Sequence, residues 1–319
     1  MEQENELHVV FGSGALGLGV TRILLAEGKR VRIVNRSGKA QIAGEAEIMA
    51  GDATDASRTR EICQGATVVY NCANAPYTDW PALFPPIQRG IIAGAAAANA
   101  RLVVAENLYM YGEVDGPLTE DLPHAATTRK GRVRAQMAEE LMEAHRKGIV
   151  RSVAARGSDF YGPYAREQGI FGDRALQLLL AGKRVSMVGN LDMPRTYTYT
   201  EDFARGLVIL GAHEEAYGQA WHIPNAPTLT TRELLSMFFA EAGLPPKMSG
   251  IPGGIIKLLG YVNPLIREVG EMLYEFNKPF IVDSSKFVRA FGDIATPHRQ
   301  AVCQTLAWFR AQFAIRAAA

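Results

Sequence analysis

Three glycines near the start of the chain have the spacing of a phosphate-binding loop. Gly12, Gly14 and Gly17 form GxGxxG directly after the apolar stretch LHVVF and open a helical stretch. The first glycine allows a tight turn, the second lets the backbone approach a pyrophosphate, and the third lets the helix pack closely. Free N–H groups at the helix start attract the anion. We therefore predict a dinucleotide site here, and the alternative is a glycine-rich turn without ligand. The predicted contacts are Gly12, Ser13, Gly14, Ala15, Leu16 and Gly17.

The end of the second strand favours one cofactor over another. A site for NAD(H) places Asp or Glu there, where the carboxylate accepts from the ribose 2′-hydroxyl. This strand ends instead in Asn35, Arg36 and Ser37. A neutral amide does not repel a 2′-phosphate, an arginine can pair with it, and a serine can donate to it. We therefore predict NADP(H) rather than NAD(H), although Arg36 has the alternative of a plain surface charge.

Further cofactor contacts are predicted at the ends of the third and fourth strands. Asp52 in GDATD could accept a hydrogen bond from the adenine amino group, although Asp after a strand is also a common cap. The predicted residues are Asp52, Ala53, Cys72, Ala73 and Asn74.

The elements that position these residues alternate along the first 160 residues. Short apolar strands such as ATVVYNCA are followed by helical stretches such as IQRGIIAGAAAANA. This pattern predicts an α/β fold, a Rossmann-like doubly wound parallel sheet. A smaller, mainly C-terminal α/β substrate lobe is expected to follow. We place the dinucleotide-binding domain at residues 1–165 and the substrate lobe at 166–319, with some segments returning to the sheet.

Composition excludes several classes of function. The 319 residues carry a formal net charge of +1, so no overall field favours nucleic acid or an anionic membrane. The N-terminal stretch lacks the features of a signal peptide, and the longest apolar stretch is too short to span a bilayer. Three scattered cysteines and six histidines lack metal-site spacing. We expect a cytoplasmic monomer or homodimer without metal, nucleic acid or membrane partner.

Several motifs together resemble the short-chain dehydrogenase/reductase superfamily, in its extended and atypical branches of NAD-dependent epimerase/dehydratase-like proteins. GSGALG, GDATD and NCANAP follow the first, third and fourth strands. ENLYMYG is similar to the family's SSxxVYG, RGSDFYGP to RxxNxYGP, RTYTYTEDFARGL to RDxxYVxDxAxA, and WHIPN to YNxG. The resemblance covers nearly the whole chain, and it implies the fold and dinucleotide binding more strongly than it implies a reaction.

The resemblance implies a Ser/Thr–Tyr–Lys catalytic set that this chain lacks. Matching ENLYMYG to SSxxVYG puts Asn107 at the Ser/Thr position, where its amide could still polarise a carbonyl. Matching AEEL to the end of YxxxKxxxE puts Gly131 and Ala135 at the Tyr and Lys positions. A shift of one residue would bring in Lys130 and Arg134. We set this shift aside, because it rotates the pair by about 100° around the helix.

Three residues are the candidate catalytic groups. Strand alternation would put Asn107, Tyr109 and Tyr111 on one face, with Tyr109 as the substitute acid and Tyr111 in a structural position. Lys130 could contact the nicotinamide ribose or an acidic substrate group. The alternatives are an aromatic cleft wall for Tyr109 and a solvated basic helix start for Lys130.

We predict an NADP(H)-dependent oxidoreductase that acts on a small organic carbonyl compound with a nonstandard catalytic set. Two alternatives stay open: a nucleotide-sugar epimerase or dehydratase, and a catalytically silent NADP-binding sensor protein. The predicted substrate-pocket residues are Tyr77, Trp80, Asp159, Tyr161 and Arg195.

Overall fold

Strands and helices alternate along the chain, and the computed structural model describes residues 6–42 and 44–318, with side chains up to residue 315. The strands are β1 (Leu7–Phe11), β2 (Arg30–Asn35), β3 (Glu47–Ala50), β4 (Ala66–Asn71), β5 (Arg101–Glu106), β6 (Arg151–Arg156), β7 (Val185–Val188), β8 (Pro194–Arg195), β9 (Ala220–His222), β10 (Leu229–Thr230) and β11 (Met248–Ile251). The helices are α1 (Ala15–Ala26), α2 (Ala56–Cys63), α3 (Trp80–Ala97), α4 (Arg129–Arg146), α5 (Asp173–Leu180), α6 (Thr200–Ala212), α7 (Thr231–Glu241), α8 (Gly253–Gly260), α9 (Pro264–Gly270), α10 (Tyr274–Asn277), α11 (Ser285–Phe291) and α12 (His298–Ala318).

Seven strands form one parallel sheet in the order β3-β2-β1-β4-β5-β6-β9. The direction of strand progression reverses between β1 and β4, so a crevice opens at their carboxyl ends. Val9 of β1 pairs with Arg32 on one side and Val69 on the other. All five residues of β1 are buried, as expected for a strand covered on both faces. The predicted doubly wound parallel sheet is confirmed.

Helices cover the sheet in two layers. One face packs against α1 and α6, where Leu24 and Phe203 belong to the same buried cluster. The opposite face packs against α2, α3 and α4, with Ile62, Ile91 and Leu141 in its cluster. The two helix layers cover the faces of the sheet, and sites in such sheets form at the carboxyl ends of the strands.

The C-terminal lobe has its own aromatic core. Tyr161, Phe171, Tyr197, Phe238 and Phe309 lie in one buried cluster between α5, α7 and α12. Two small sheets border it, β11 parallel to β7 and β10 antiparallel to β8. Three segments beyond residue 165 return to the large sheet, namely α6, β9 and α11.

The chain departs from the predicted strand at residues 107–111. The ladder between β5 and β6 ends where Glu106 faces Arg156, and Tyr109–Tyr111 then form a single 3₁₀ turn. The inferred alternation of Asn107, Tyr109 and Tyr111 on one strand face is therefore wrong. The hydroxyl of Tyr111 accepts from Arg156 Nη1 at 2.7 Å, whereas that of Tyr109 lies 3.5 Å from the hydroxyl of Tyr77. Without a neighbouring strand to pair with, the backbone at this point is free to turn.

Within residues 6–42 and 44–318, no helix combines the length and the apolar character that crossing a membrane requires.

Candidate active site

The glycine loop connects β1 to α1 and fits a pyrophosphate. Gly12 has φ +101°, and a Cβ there would collide with the carbonyl group of Cys72. A Cβ on Gly17 would overlap the carbonyl oxygen of Gly12. At Gly14, by contrast, a Cβ would meet only Gln168 Oε1 at 3.8 Å. The first turn of α1 carries no acidic residue and no side-chain cap, so its backbone N–H groups are available to an anion.

Gly14 is the glycine of the loop at which a side chain can be added without a clash, so it can be used to test whether a ligand binds over the loop. Gly14→Ala is expected to fold normally but to weaken the binding of a nicotinamide dinucleotide about tenfold or more, because the added methyl occupies the space over the loop. Titration of NADH and of NADPH by fluorescence measures the dissociation constants. Gly254→Ala is the matched control, since a Cβ there would have no neighbour within 4 Å. Unchanged affinity for both cofactors in Gly14→Ala would show that the ligand does not approach this loop.

The tip of β2 is tied to the glycine loop by Asn35. Its Nδ2 donates to Ser13 Oγ and to the carbonyl oxygen of Lys39, both at 2.8 Å. Its Oδ1 accepts from Ser37 Oγ at 2.9 Å. Asn35 thus holds the tip in place, while the exposed Arg36 is the side chain of the tip that brings positive charge.

The residues after β3 and β4 border the same crevice. Asp52 is exposed and accepts from the backbone N–H and the hydroxyl of Thr54 at 2.9 and 2.8 Å. These bonds, with a smaller contribution from Arg36, lower the pKa of Asp52. The carbonyl of Ala53 lies against Gly90 of α3. After β4, Cys72 lies against Gly12, the N–H of Ala73 donates to Asn71 Oδ1 at 3.2 Å, and Asn74 is exposed.

Helix α4 presents two cations to the ends of β4 and β5. Lys130 and Arg134 are almost fully buried, although both are basic and lie one turn apart. Arg134 Nε donates to Asn107 Oδ1 at 3.1 Å, and its guanidinium carbon lies 4.8 Å from the centre of the Phe84 ring. Because this bond engages the amide oxygen of Asn107, the amide nitrogen remains to donate to a ligand.

The structure corrects two sequence-based inferences about this helix. A shift of one residue in the match to YxxxK would select Lys130 and Arg134. These are the residues of the helix whose side chains face the site, although we had set that shift aside. Gly131 has no room for a side chain, because a Cβ there would meet Ala126, Thr128 and the carbonyl of Tyr109. Thr128 caps the helix by accepting from Gly131 N at 3.1 Å, which sets this rotation. Lys130 is therefore not part of a solvated basic surface, which was its alternative, whereas Arg129 and Arg132 beside it are exposed.

Two carboxylates from a distant segment compensate the charge of Lys130. Its Nζ forms an ion pair with Glu268 of α9 and lies 3.4 Å from Glu271 Oε2. The backbone N–H of Lys130 also donates to Glu271 Oε1 at 3.0 Å. The ammonium lies 4.3 Å from the centre of the Tyr77 ring. Burial lowers the pKa of Lys130, and Glu271 partly offsets this effect.

Aromatic rings form the wall beside Asn107. Tyr77, Trp80 and Tyr109 lie side by side, with the ring centre of Trp80 5.2 Å from that of Tyr77 and 5.8 Å from that of Tyr109. Trp80 Nε1 donates to the carbonyl of Ala75. Burial raises the pKa of Tyr77 and raises that of Tyr109 well above its ordinary value. Both hydroxyls therefore stay protonated and can act as donors.

Arg195 joins two carboxyl groups on the lobe side of the cleft. Its Nε donates to Asp159, its Nη1 donates to the backbone carbonyl of Glu275, and its Nη2 lies 3.9 Å from Glu275 Oε2. Burial raises the pKa of Glu275 to about 8, and the charge of Asp159 adds to this rise while Arg195 opposes it. Burial therefore favours the protonated form of the Glu275 carboxyl. The charges of Glu275 and Asp159 add to the rise that burial causes in the pKa of Tyr109.

One residue predicted to line the pocket lies outside it, and the sequence analysis did not predict three acidic residues that lie at the site. Tyr161 is buried in the aromatic core of the lobe, with its hydroxyl 3.2 Å from His298 Nδ1. The missed residues are Glu268, Glu271 and Glu275. Their spacing along REVGEMLYEF, at i, i+3 and i+7, is that of one helical face and was the available signal.

No group of three or more His, Cys, Asp or Glu side chains within the described part of the chain could hold a metal ion.

Known proteins share this architecture. Three solved structures illustrate it: the enzyme WbmH of Bordetella bronchiseptica with NAD⁺ (17% identity, TM-score 0.75, covering 96% of this chain and 98% of that one), dTDP-glucose 4,6-dehydratase of Bacillus anthracis with NAD (14%, 0.78, 96% and 97%), and UDP-glucuronic acid 4-epimerase of Bacillus cereus with NAD (16%, 0.78, 97% and 98%). At these identities the likeness concerns the fold. No curated protein matches the sequence.

A family model establishes the relationship more directly than the solved structures do. The model described as the NAD dependent epimerase/dehydratase family matches residues 9–223, from β1 through β9. The match includes the glycine loop, the 3₁₀ turn of Tyr109 and the inward face of α4. On this evidence the chain belongs to the NAD dependent epimerase/dehydratase family.

Proposed function

We propose that this protein is an NADP(H)-dependent oxidoreductase that interconverts a carbonyl and a hydroxyl group on a small organic substrate. One observation carries the proposal. The start of α1 has no side-chain cap, and the neighbouring tip of β2 has no acidic residue but carries the exposed Arg36. This arrangement opens toward the same strand ends that carry Asn107 and Tyr109. Bound NADP(H) would accept or supply the hydride, and the protein would position the substrate.

The side chains of this cleft suit a substrate oxygen. The amide nitrogen of Asn107 and the protonated hydroxyl of Tyr109 are donors that could polarise a carbonyl. Burial favours the protonated form of Glu275, which could supply a proton that a tyrosine with a raised pKa releases poorly. Lys130, paired with Glu268 and Glu271, would hold the shape of the cleft and the orientation of Tyr77.

Turnover with NADPH and a panel of aldehydes and ketones tests the proposal. We expect oxidation of NADPH, followed at its absorbance band, and a loss of activity in Asn107→Ala and Tyr109→Phe without a matching loss of NADPH affinity. A different result would support the catalytically silent sensor instead. In that case NADPH binds tightly, no compound of the panel is turned over, and neither Asn107→Ala nor Tyr109→Phe alters the NADPH affinity.

Arg36 should decide the preference for NADPH over NADH. Removing its charge in Arg36→Ala is expected to reduce the ratio of NADPH to NADH affinity about tenfold, the worth of one charge-assisted phosphate contact. The reverse-charge variant Arg36→Glu should favour NADH. Titration of both cofactors gives the ratio, and Lys39→Ala, an exposed cation four residues from Asn35, serves as the control. A ratio unchanged in Arg36→Glu would remove the basis for NADP(H).

The second candidate is a nucleotide-sugar epimerase or dehydratase. The family match favours it, as do solved relatives with NAD whose substrates are UDP- or dTDP-sugars. It predicts NAD rather than NADP and a conversion of UDP- or dTDP-glucose without net consumption of the cofactor. Incubation with NAD and each sugar nucleotide, followed by chromatography, separates the two candidates.

A further inference from the structure

Residues 253–270 form an apolar hairpin, in which α8 and α9 are joined at Tyr261–Asn263. Of the ten large apolar side chains that are strongly exposed in the described chain, six lie in this hairpin. Tyr261 and Val262 at its tip are 88% and 82% exposed. The six side chains are Ile255, Leu258, Leu259, Tyr261, Val262 and Leu265. Soluble monomers rarely leave such a contiguous patch uncovered unless it binds something.

The inner side of the hairpin packs against the rest of the protein. Ile256 is buried, and Gly260 allows close contact between the helices, because a Cβ there would lie 3.0 Å from Arg267 Cα. Glu268 on its inner side pairs with Arg129 and Lys130 of α4. The exposed apolar side chains are therefore presented by an anchored element.

The basic and acidic side chains of the apolar hairpin lie on opposite sides of it. Lys257 and Arg267 are exposed, whereas Glu268, the one carboxylate in residues 253–270, is buried against α4. The outer surface therefore combines apolar side chains with two cations and no exposed acid. A protruding apolar tip flanked by cations matches the interface of an anionic bilayer, where acyl chains receive the apolar groups and headgroups pair with the cations. Tyrosine is also a preferred side chain at that depth.

We propose that the apolar hairpin docks the protein onto anionic lipid surfaces, with Leu258, Tyr261 and Val262 inserted at the boundary between headgroups and acyl chains. The hairpin rests on the surface and does not span it, because the eight residues of α8 reach only about 12 Å, against a hydrocarbon thickness of about 30 Å. The inference is independent of the proposed function. It departs from the expectation, based on net charge, that no membrane partner exists.

Flotation of the full chain with vesicles tests the docking. We expect binding to vesicles of phosphatidylcholine mixed with phosphatidylglycerol and weak binding to phosphatidylcholine alone. The double variant Leu258→Ser/Val262→Ser should reduce the bound fraction at least about tenfold, and Lys257→Gln/Arg267→Gln should remove the preference for the anionic lipid.

Ile149→Ser removes an exposed apolar side chain on another part of the surface and should leave vesicle binding unchanged. Thermal unfolding verifies that each variant is folded. Absence of wild-type binding to both kinds of vesicle overturns the proposal. So does self-association of the wild type in light scattering that Leu258→Ser/Val262→Ser abolishes, since the hairpin would then be a contact between two copies of the chain.

Discussion

Replacing Lys130 with methionine is expected to lower the free energy of unfolding by about 3–5 kcal/mol, the cost of removing one partner of a buried ion pair. The Lys130 side chain has no exposed surface and that of Glu268 is 5% exposed, so water cannot take over the lost interaction. Glu268 would then lie buried near Glu271, with Arg129 as its remaining cation. Urea unfolding at neutral pH, followed by circular dichroism, measures the change.

A second substitution separates the ion pair from packing. In Lys130→Met/Glu268→Leu both charges are gone, and most of the lost stability should return, because two apolar side chains can replace a buried pair at little cost. Lys147→Met, at the exposed end of the same helix, should change stability by less than about 1 kcal/mol. If Lys130→Met unfolds at the wild-type urea concentration, the pair between α4 and α9 does not contribute to the fold.

Replacing Glu275 with glutamine is expected to change how stability depends on pH. Folding raises the pKa of this carboxyl from an ordinary value near 4.5 to about 8. The folded protein therefore holds a proton that the unfolded chain releases between these values. The stability contributed by the protonated group is complete below about pH 4.5 and is lost as the pH rises through 8, with a slope of at most about 1.4 kcal/mol per pH unit.

The amide that Glu275→Gln introduces does not titrate, so the difference in stability between the variant and the wild type should shift in favour of the variant as the pH rises. Urea unfolding between about pH 5 and 9, compared as pairs at each pH, measures this difference. Glu61→Gln, which alters an exposed carboxylate on α2, should show no such pH-dependent difference. A constant difference between Glu275→Gln and the wild type would mean that Glu275 is already ionised in the folded protein.

The same substitution tests the proposed role of Glu275 in turnover. Under the proposal, wild-type reduction slows as the pH rises through 8, because the proton donor is lost. Glu275→Gln should lower the turnover number by about a hundredfold or more and remove this pH dependence. NADPH affinity should not change, since the residue lies on the lobe side of the cleft.

Local features of the chain were predictable because each depends on residues close in sequence. The GxGxxG spacing and the strand before it sufficed to predict the loop that the structure contains, and the alternation of elements predicted the parallel sheet. The turn at Asn107–Tyr111 was missed, because the end of β5 depends on where its neighbour β6 stops. The inward face of α4 was missed, because its rotation is set by the cap at Thr128 and by the lack of space at Gly131.

The sequence by itself thus determined the fold class, the family resemblance, the glycine loop and the acid-free end of β2. Only the tertiary structure decided which charges meet in the cleft. Lys130 meets Glu268 from 138 residues away, and Arg195 meets Glu275 from 80 residues away. Such pairs are invisible to a local pattern, because burial and the position of a distant helix decide whether a lysine is solvated or a carboxylic acid keeps its proton.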